Sequence, residues 1–129
     1  MFKLNIGTNQ FTTVFCMDGK PEDKFHYEYV ICPNERIPEN ISNTRDFQGI
    51  EGVSCVKFQK GPMMSESCNG GFIEDLLAIV QHRLECFQQG PFPSNYNDLA
   101  LNSVKNALGF LGERTEDRHS RNVEGKLEP

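Results

Sequence analysis

Hydrophobic and polar residues follow two different patterns along the chain, and the first of them is typical of β-strands. Three short runs rich in aromatic and β-branched residues predict strands, at residues 11–16, 25–32 and 53–59. Leu4 and Ile6 predict an additional edge strand. The turn-forming residues at 18–21 allow the first two strands to pair antiparallel. The first half therefore predicts a small antiparallel sheet.

The segment 33–52, between the second and third predicted strands, is polar and irregular. It leaves three interpretations open: a surface loop, an edge strand, or a lid over a binding pocket. The sequence favours none of the three.

The hydrophobic period changes from two to about 3.6 after the Gly-rich connector 63–71, which predicts helices. The first helix carries an apolar stripe made of Ile73, Leu76, Leu77, Val80, Leu84 and Phe87, and Gly90 and Pro91 end it. Ser94, or alternatively Asn95, is the predicted N-cap of a second helix that runs to about Arg121. Its stripe consists of Leu101, Val104, Leu108 and Leu111, extended by Asn97 and Thr115.

Two amphipathic helices with so short a connection must pack antiparallel. The chain of 129 residues is therefore predicted to be one α+β domain, with a β-rich part at 1–62 and a helical hairpin at 69–125. The second helix would be roughly 40 Å long at 1.5 Å per residue, which exceeds what a small sheet can cover. We therefore expect the hairpin to mediate oligomerisation.

Charge and composition exclude several classes of protein. The net charge of -5 opposes binding to a nucleic acid polymer, and no apolar run is long enough to span a membrane. The first residues are too polar for a secretory signal, which favours a cytoplasmic location. The five cysteines form no C-x-x-C pair, so we expect small buried or half-buried thiols without disulfides or zinc.

No catalytic motif stands out in the sequence. The three histidines form no metal-binding i,i+4 pair, and Walker, G-x-G-x-x-G and G-x-S-x-G sequences are absent. We therefore predict no catalytic residues, no metal and no cofactor. A cysteine nucleophile paired with a distant histidine stays open.

Three arginines cluster near the end of the second helix. Arg114, Arg118 and Arg121 fall within about 60° of one another on a helix, beside the apolar stripe. One interpretation is a solvated helix end in which Asp117 pairs with Arg114 and Arg121. The other is a clamp for phosphate or pyrophosphate, for which the planar guanidinium is well suited.

The second half of the chain resembles a known group of phage proteins. The segments "EDLLAIV", "FQQGPF" and "RTEDRHSRNVEG", between residues 69 and 125, closely resemble the helical hairpin of the first class of Thoeris anti-defence proteins. Anti-CBASS cyclic-oligonucleotide sponges share this hairpin but are essentially all-helical. The β-rich first half, ending in "FQKGP", favours the Thoeris group.

The resemblance implies a sponge, a non-catalytic protein that sequesters the cyclic ADP-ribose isomer made by a TIR-domain enzyme. It implies that Phe87 stacks on the adenine, that Asn97 hydrogen-bonds the ligand, and that Arg114 and Arg118, with Thr115 between them, hold the pyrophosphate. Cyclic di- or trinucleotides are a second implied ligand class, and a hexamer a further implied assembly. The alternatives are an enzyme that degrades the same signals and a plain protein-interaction module.

The spacing of these residues predicts a dimer. Arg114 lies 17 residues beyond Asn97, roughly 25 Å along a straight helix, so one chain cannot bring both to one small ligand. A neighbouring hairpin running the opposite way would supply the missing half. This requires an isologous homodimer with two equivalent pockets.

Overall fold

The computed structural model describes residues 1–7, 10–63 and 67–121. Residues 122–125 of the predicted hairpin and 64–66 of the predicted connector lie outside the described residues. The chain divides into two compact units, Met1–Phe58 and Gln59–Pro129. The first contains a sheet and the second contains two helices, which confirms the predicted α+β class.

The sheet has four antiparallel strands in the order β1-β2-β3-β4. The strands are β1 (Phe2–Lys3), β2 (Thr12–Cys16), β3 (Glu28–Pro33) and β4 (Ser54–Lys57). β2 and β3 pair along their length, with Val14 opposite Ile31. The predicted small antiparallel sheet at the N-terminus is confirmed.

The edge strand differs from the prediction. It consists of Phe2–Lys3 rather than a run through Leu4 and Ile6. Leu4 still donates its N–H to the carbonyl of Val14 at 2.9 Å, but the side chain of Ile6 is exposed. The chain therefore leaves the sheet two residues earlier than its hydrophobic residues suggest.

The second predicted strand corresponds to β3, which begins at Glu28 and not at Phe25. Just before β3, a side chain binds backbone groups that strand pairing would otherwise use. The Asp18 carboxylate accepts the N–H groups of Tyr27 and Glu28, at 2.8 and 3.2 Å. The ring nitrogens of His26 lie 2.6 Å from the Asp18 carbonyl oxygen and 2.9 Å from that of Asp23. The predicted four-residue turn is thus a longer, side-chain-braced connection.

The core of the first unit includes a residue from the irregular segment 33–52. Phe47 is fully buried, and its ring lies 5.6 Å from that of Phe15, between centroids. It belongs to one of two short 3₁₀ helices, Asn34–Arg36 and Thr44–Phe47, and the Asn43 side chain caps the second. The segment is therefore a structured loop that contributes to the core, not an edge strand.

The cysteines divide into two groups. Cys16 and Cys32 are buried in the first unit, as expected of small apolar side chains. Cys55, Cys68 and Cys86 are exposed, so the expectation of burial was wrong for these three.

The hairpin consists of α1 (Ile73–Gln89) and α2 (Asn95–Ser120). Asp75 accepts the N–H of Phe72 at 2.9 Å at the start of α1, and Ser94 caps α2 by accepting the N–H of Asn97 at 3.0 Å. This confirms the predicted hairpin and the Ser94 cap. Within the described part of the chain, neither α1 nor α2 has the combination of length and hydropathy that a membrane-spanning helix needs.

The two helices use their hydrophobic residues differently. The stripe on α2 is the more shielded side of that helix, with Leu101 buried. On α1 the shielded positions include Leu77, Gln81 and Leu84, whereas Ile73 and Val80 are 50% and 44% exposed. Part of the predicted α1 stripe is therefore not buried in the hairpin. A two-helix seam covers only about two positions in seven, and the α1 stripe is wider than that.

Replacing Phe47 by Ala should destabilise the first unit by about 3–5 kcal/mol, because it removes a fully buried ring and leaves a cavity. The free energy of unfolding can be measured by urea denaturation followed through the NMR signals of β2 and β3. Phe25→Ala is the matched control, since Phe25 is 77% exposed and its loss should change stability by less than about 0.5 kcal/mol. Equal stabilities of the two variants would contradict the assignment of Phe47 to the core.

Candidate functional site

Phe87 and Asn97, two of the predicted ligand residues, line the same cavity at the end of the hairpin where α1 leads into α2. Its volume is about 370 Å³, and its other lining residues are Ile79, Val80, Arg83 and Leu84. A second cavity of about 210 Å³ is lined by Arg83, Cys86, Phe87, Gly90, Pro91 and Phe92. Arg83 and Phe87 are thus walls of both cavities.

The chemistry of the larger cavity suits an aromatic ligand. Ile79, Val80 and Leu84 are apolar, while Asn97 contributes an amide that can both donate and accept hydrogen bonds. Phe87 is 45% exposed, so part of its ring is open to a stacking partner. An apolar wall with a few polar groups is the usual composition of a site for an organic ligand.

Gln88 fixes the connection between the helices. Its side-chain oxygen accepts the N–H of Ser94 at 2.9 Å, and its side-chain nitrogen donates to the Ser94 carbonyl at 2.9 Å and to the Asp98 carboxylate at 2.6 Å. The Ser94 hydroxyl in turn accepts the N–H of Asn97 and so caps α2. Because Gln88 follows Phe87 directly, these bonds hold the first turn of α2, and Asn97 with it, beside the aromatic ring.

Arg114, Thr115 and Arg118, the other predicted ligand residues, lie near the opposite end of α2. Arg114 is exposed, and Thr115 and Arg118 are half-buried. The Thr115 hydroxyl donates to the Leu111 carbonyl at 3.1 Å. Asp117 pairs with Arg121 at 3.0 Å, as the solvated interpretation predicts, but the expected Asp117–Arg114 pair does not form. Within residues 67–121, Arg114 has no ion-pair partner and is available to an anion.

The structure does not bring the two ends of the site together within one chain. Asn97 and Arg114 belong to one uninterrupted helix, α2, and 17 residues separate them. At 1.5 Å per residue this distance is about 25 Å, far beyond the combined reach of an asparagine and an arginine side chain. The set of Phe87 and Asn97 and the set of Arg114, Thr115 and Arg118 are therefore two separate half-sites on each chain.

The sequence analysis did not identify Arg83 as a residue of the site. Its guanidinium carbon lies 5.2 Å from the centroid of the Phe87 ring, within the range of a cation–π contact. The spacing of Arg83 and Phe87 could have indicated this contact, since residues four apart on a helix are neighbours. It was hidden because Arg83 belongs to neither the apolar stripe nor the arginine cluster.

A cysteine and a histidine also lie side by side on α1. The Cys86 sulfur is 3.8 Å from Nε2 of His82, one helical turn away, and Cys86 lines the smaller cavity. Both side chains are exposed. Among the described residues beside the cavities, this pair most resembles a catalytic nucleophile and base. The sequence analysis had considered only a cysteine with a distant histidine.

Cys16, Asp18 and His26 form a possible metal-ligand group, because their ligating atoms lie within 4.8 Å of one another. These atoms already have partners. Hydrogen bonding to the Asp18 carbonyl raises the pKa of the His26 imidazole, and burial raises the pKa of the Cys16 thiol. Both changes favour protonated side chains, whereas metal ligation needs the thiolate and the neutral imidazole. We interpret the group as the brace of the 18–27 connection.

Comparison with known proteins identifies a relative from a phage. No family model matches the chain. The chain is 39% identical over 84 residues to Thoeris anti-defense 1 of Bacillus phage SBSphiJ7, an alignment that spans 65% of this chain and 58% of that protein. The similarity confirms the predicted resemblance to Thoeris anti-defence proteins.

Replacing Gln88 by Leu should loosen the first turn of α2, because it removes three hydrogen bonds around Ser94. A lost bond that strands a polar partner costs about 1–3 kcal/mol, so the local opening free energy should fall by at least that amount. Amide hydrogen exchange of Asn97 and Asp98 measures it. Gln89→Leu is the control, since Gln89 is exposed. Unchanged protection in Gln88→Leu would show that the clamp does not hold this turn.

Proposed function

We propose that this chain, a relative of the Thoeris anti-defence proteins, is a phage immune-evasion sponge. It binds and sequesters, without cleaving, glycocyclic ADP-ribose, the cyclic ADP-ribose isomer that signals in TIR-based Thoeris defence. It acts in the cytoplasm of the infected bacterial host. The observation that carries the proposal is the cavity shared by Phe87 and Asn97, in a chain similar to a protein named for Thoeris anti-defence.

The cavity would bind the base of the nucleotide. The half-exposed Phe87 ring offers a surface on which adenine stacks, a contact worth roughly 1–3 kcal/mol. Asn97 can hydrogen-bond the edge of the base or a ribose hydroxyl from the same wall. Because Gln88 holds the first turn of α2 beside the end of α1 before a ligand arrives, binding loses less free energy in ordering this part of the chain.

The pyrophosphate would be bound by the other half-site, contributed by a second copy of the chain. Arg114 and Arg118, with the Thr115 hydroxyl between them, offer guanidinium forks suited to phosphate oxygens. A second hairpin lying antiparallel to the first places its arginine end beside the first chain's cavity. A two-fold axis then generates two equivalent pockets per homodimer.

The exposed apolar side chains of α1 support this pairing. Ile73, Ile79, Val80 and Phe87 are 44–64% exposed and lie along one side of the helix. Such a strip is typical of a surface that another subunit covers. We propose that the second copy binds against it, and that dimers associate into hexamers. Cyclic di- or trinucleotides are the further ligands that this proposal includes, without an assigned site.

The affinity required of a sponge is within reach of these contacts. One aromatic stack at about 1–3 kcal/mol, with charge-assisted hydrogen bonds at about 1.5–3 kcal/mol each, can total the roughly 12 kcal/mol of a nanomolar complex. Several hydrogen bonds from the arginines to the phosphates are needed to reach this total. The arginine half-site is therefore essential to sequestration and not an accessory to the cavity.

An enzyme that degrades the same signals is the second candidate, because Cys86 lines a cavity and lies 3.8 Å from His82. A cysteine nucleophile works with a base that a third group orients. Among the described residues no hydrogen bond holds the other ring nitrogen of His82. The pair therefore lacks the third member, and we favour capture over cleavage.

We expect complementation between damaged subunits. Phe87→Ala and Arg114→Ala should each weaken binding of glycocyclic ADP-ribose by roughly 10- to 100-fold, since each removes a contact of about 1.5–3 kcal/mol. A heterodimer of the two variants, isolated with two affinity tags, should regain one intact pocket per dimer. Calorimetric titration measures both the affinity and the number of sites.

The control for complementation is a heterodimer of Phe87→Ala and Asn97→Ala. Both changes lie in the same half-site, so each pocket is damaged and affinity should stay low. If the Phe87→Ala and Arg114→Ala pair also stays low, the two half-sites do not form one pocket. If the single variants bind as the wild type does, the chain is better described as a protein-interaction module.

We also expect the ligand to leave the protein unchanged. After prolonged incubation, heating the complex should release glycocyclic ADP-ribose of unaltered mass and in stoichiometric amount. Cys86→Ala should capture and release the same quantity, because its thiol has no chemical role in a sponge. A product of different mass that disappears in Cys86→Ala would establish the enzyme instead.

A further inference from the structure

Among the residues that the structure describes, Arg83 is the only charged one that lines either cavity. The remaining lining residues are apolar apart from Asn97 and the Cys86 thiol. The chain carries a net charge of -5, so an anionic ligand approaching the cavities meets an unfavourable overall field. Local positive charge at the cavity has to come from Arg83 on this chain.

The helix supplies Arg83 with no acidic neighbour. Positions three and four residues away are Ile79, Val80, Cys86 and Phe87, all uncharged at neutral pH or apolar. No ion pair engages Arg83 among the described residues; its contact is with the Phe87 ring, 5.2 Å away. Arg121, in contrast, is paired with Asp117. The N–H donors of Arg83 are therefore available to a ligand.

The position of the guanidinium matters as much as its charge. A guanidinium over an aromatic ring keeps its N–H groups around its rim, where they can donate to a phosphate without giving up the ring. Arg83 and Phe87 are walls of both cavities. The exposed Arg83 side chain is therefore positioned to meet a phosphate of a nucleotide whose base stacks on Phe87 in either cavity.

We propose that Arg83 is a ligand-binding residue, whose guanidinium donates hydrogen bonds to a phosphate oxygen of the nucleotide that stacks on the same chain's Phe87. The inference rests on the proposed function and extends it. Each pocket then has a cation from the chain that holds the base, in addition to the arginines of the second copy. The phosphates of one ligand are held from both sides.

The test compares three variants by calorimetric titration with glycocyclic ADP-ribose at low and high ionic strength. Arg83→Met keeps the apolar stem and removes the charge, and it should weaken binding by about 10- to 100-fold. Arg83→Lys keeps the charge without the planar fork, and its affinity should lie between those of Arg83→Met and the wild type. Because added salt screens the contact, the loss in Arg83→Met should shrink at high ionic strength.

Lys105→Met is the matched control, since Lys105 is exposed on α2 and lines neither cavity. It should bind as the wild type does. Equal affinity of Arg83→Met and Lys105→Met would overturn the inference and leave the proposed function intact. A salt-independent loss shared equally by Arg83→Met and Arg83→Lys would also overturn it, because Arg83 would then only support the ring. A wild type that does not bind at all would end the proposed function and the inference together.

Discussion

The length and stiffness of α2 constrain every account of how this protein works. The helix runs without interruption from Asn95 to Ser120, so the separation of the two predicted half-sites along it is fixed by the rise of an α-helix. Asn97 lies at the cavity and Arg114 roughly 25 Å away, and no side-chain rearrangement brings them together. A site that uses both ends has to be assembled from two chains, and the stoichiometry of the proposed sponge is a direct consequence of helix geometry.

Side-chain contacts brace the cavity end of the hairpin. The Gln88 side chain hydrogen-bonds both the N–H and the carbonyl of Ser94, and also the carboxylate of Asp98. These bonds connect the end of α1 to the start of α2. Arg83 covers Phe87 on the preceding turn. A preordered site favours tight capture, because less free energy is lost in ordering side chains on binding.

Charge in this protein is organised locally and not globally. The chain as a whole is acidic, yet Arg83 has no acidic residue three or four positions away, and Arg114 has no ion-pair partner among residues 67–121. At the end of α2, Arg121 is paired with Asp117. A net negative charge discourages binding to polyanions, while guanidinium groups without acidic neighbours are chemically suited to bind a small phosphorylated ligand.

The sequence by itself determined the two helices and the antiparallel sheet, and it narrowed the N-cap of α2 to Ser94 or Asn95, because these depend on local periodicity, on turn residues and on short connections. It also placed Phe87 and Asn97 at one end of the hairpin and the arginines at the other, since helix rise is independent of context. Only the tertiary structure decided which part of the wide α1 stripe packs on α2, and it left Ile73 and Val80 exposed. It alone showed that Phe47 belongs to the core, and that the contacts of Asp18 and His26 precede a β3 that begins at Glu28 and not at Phe25. These features depend on contacts between residues that are not neighbours in the chain. The local pattern of hydrophobic and polar residues does not predict such contacts.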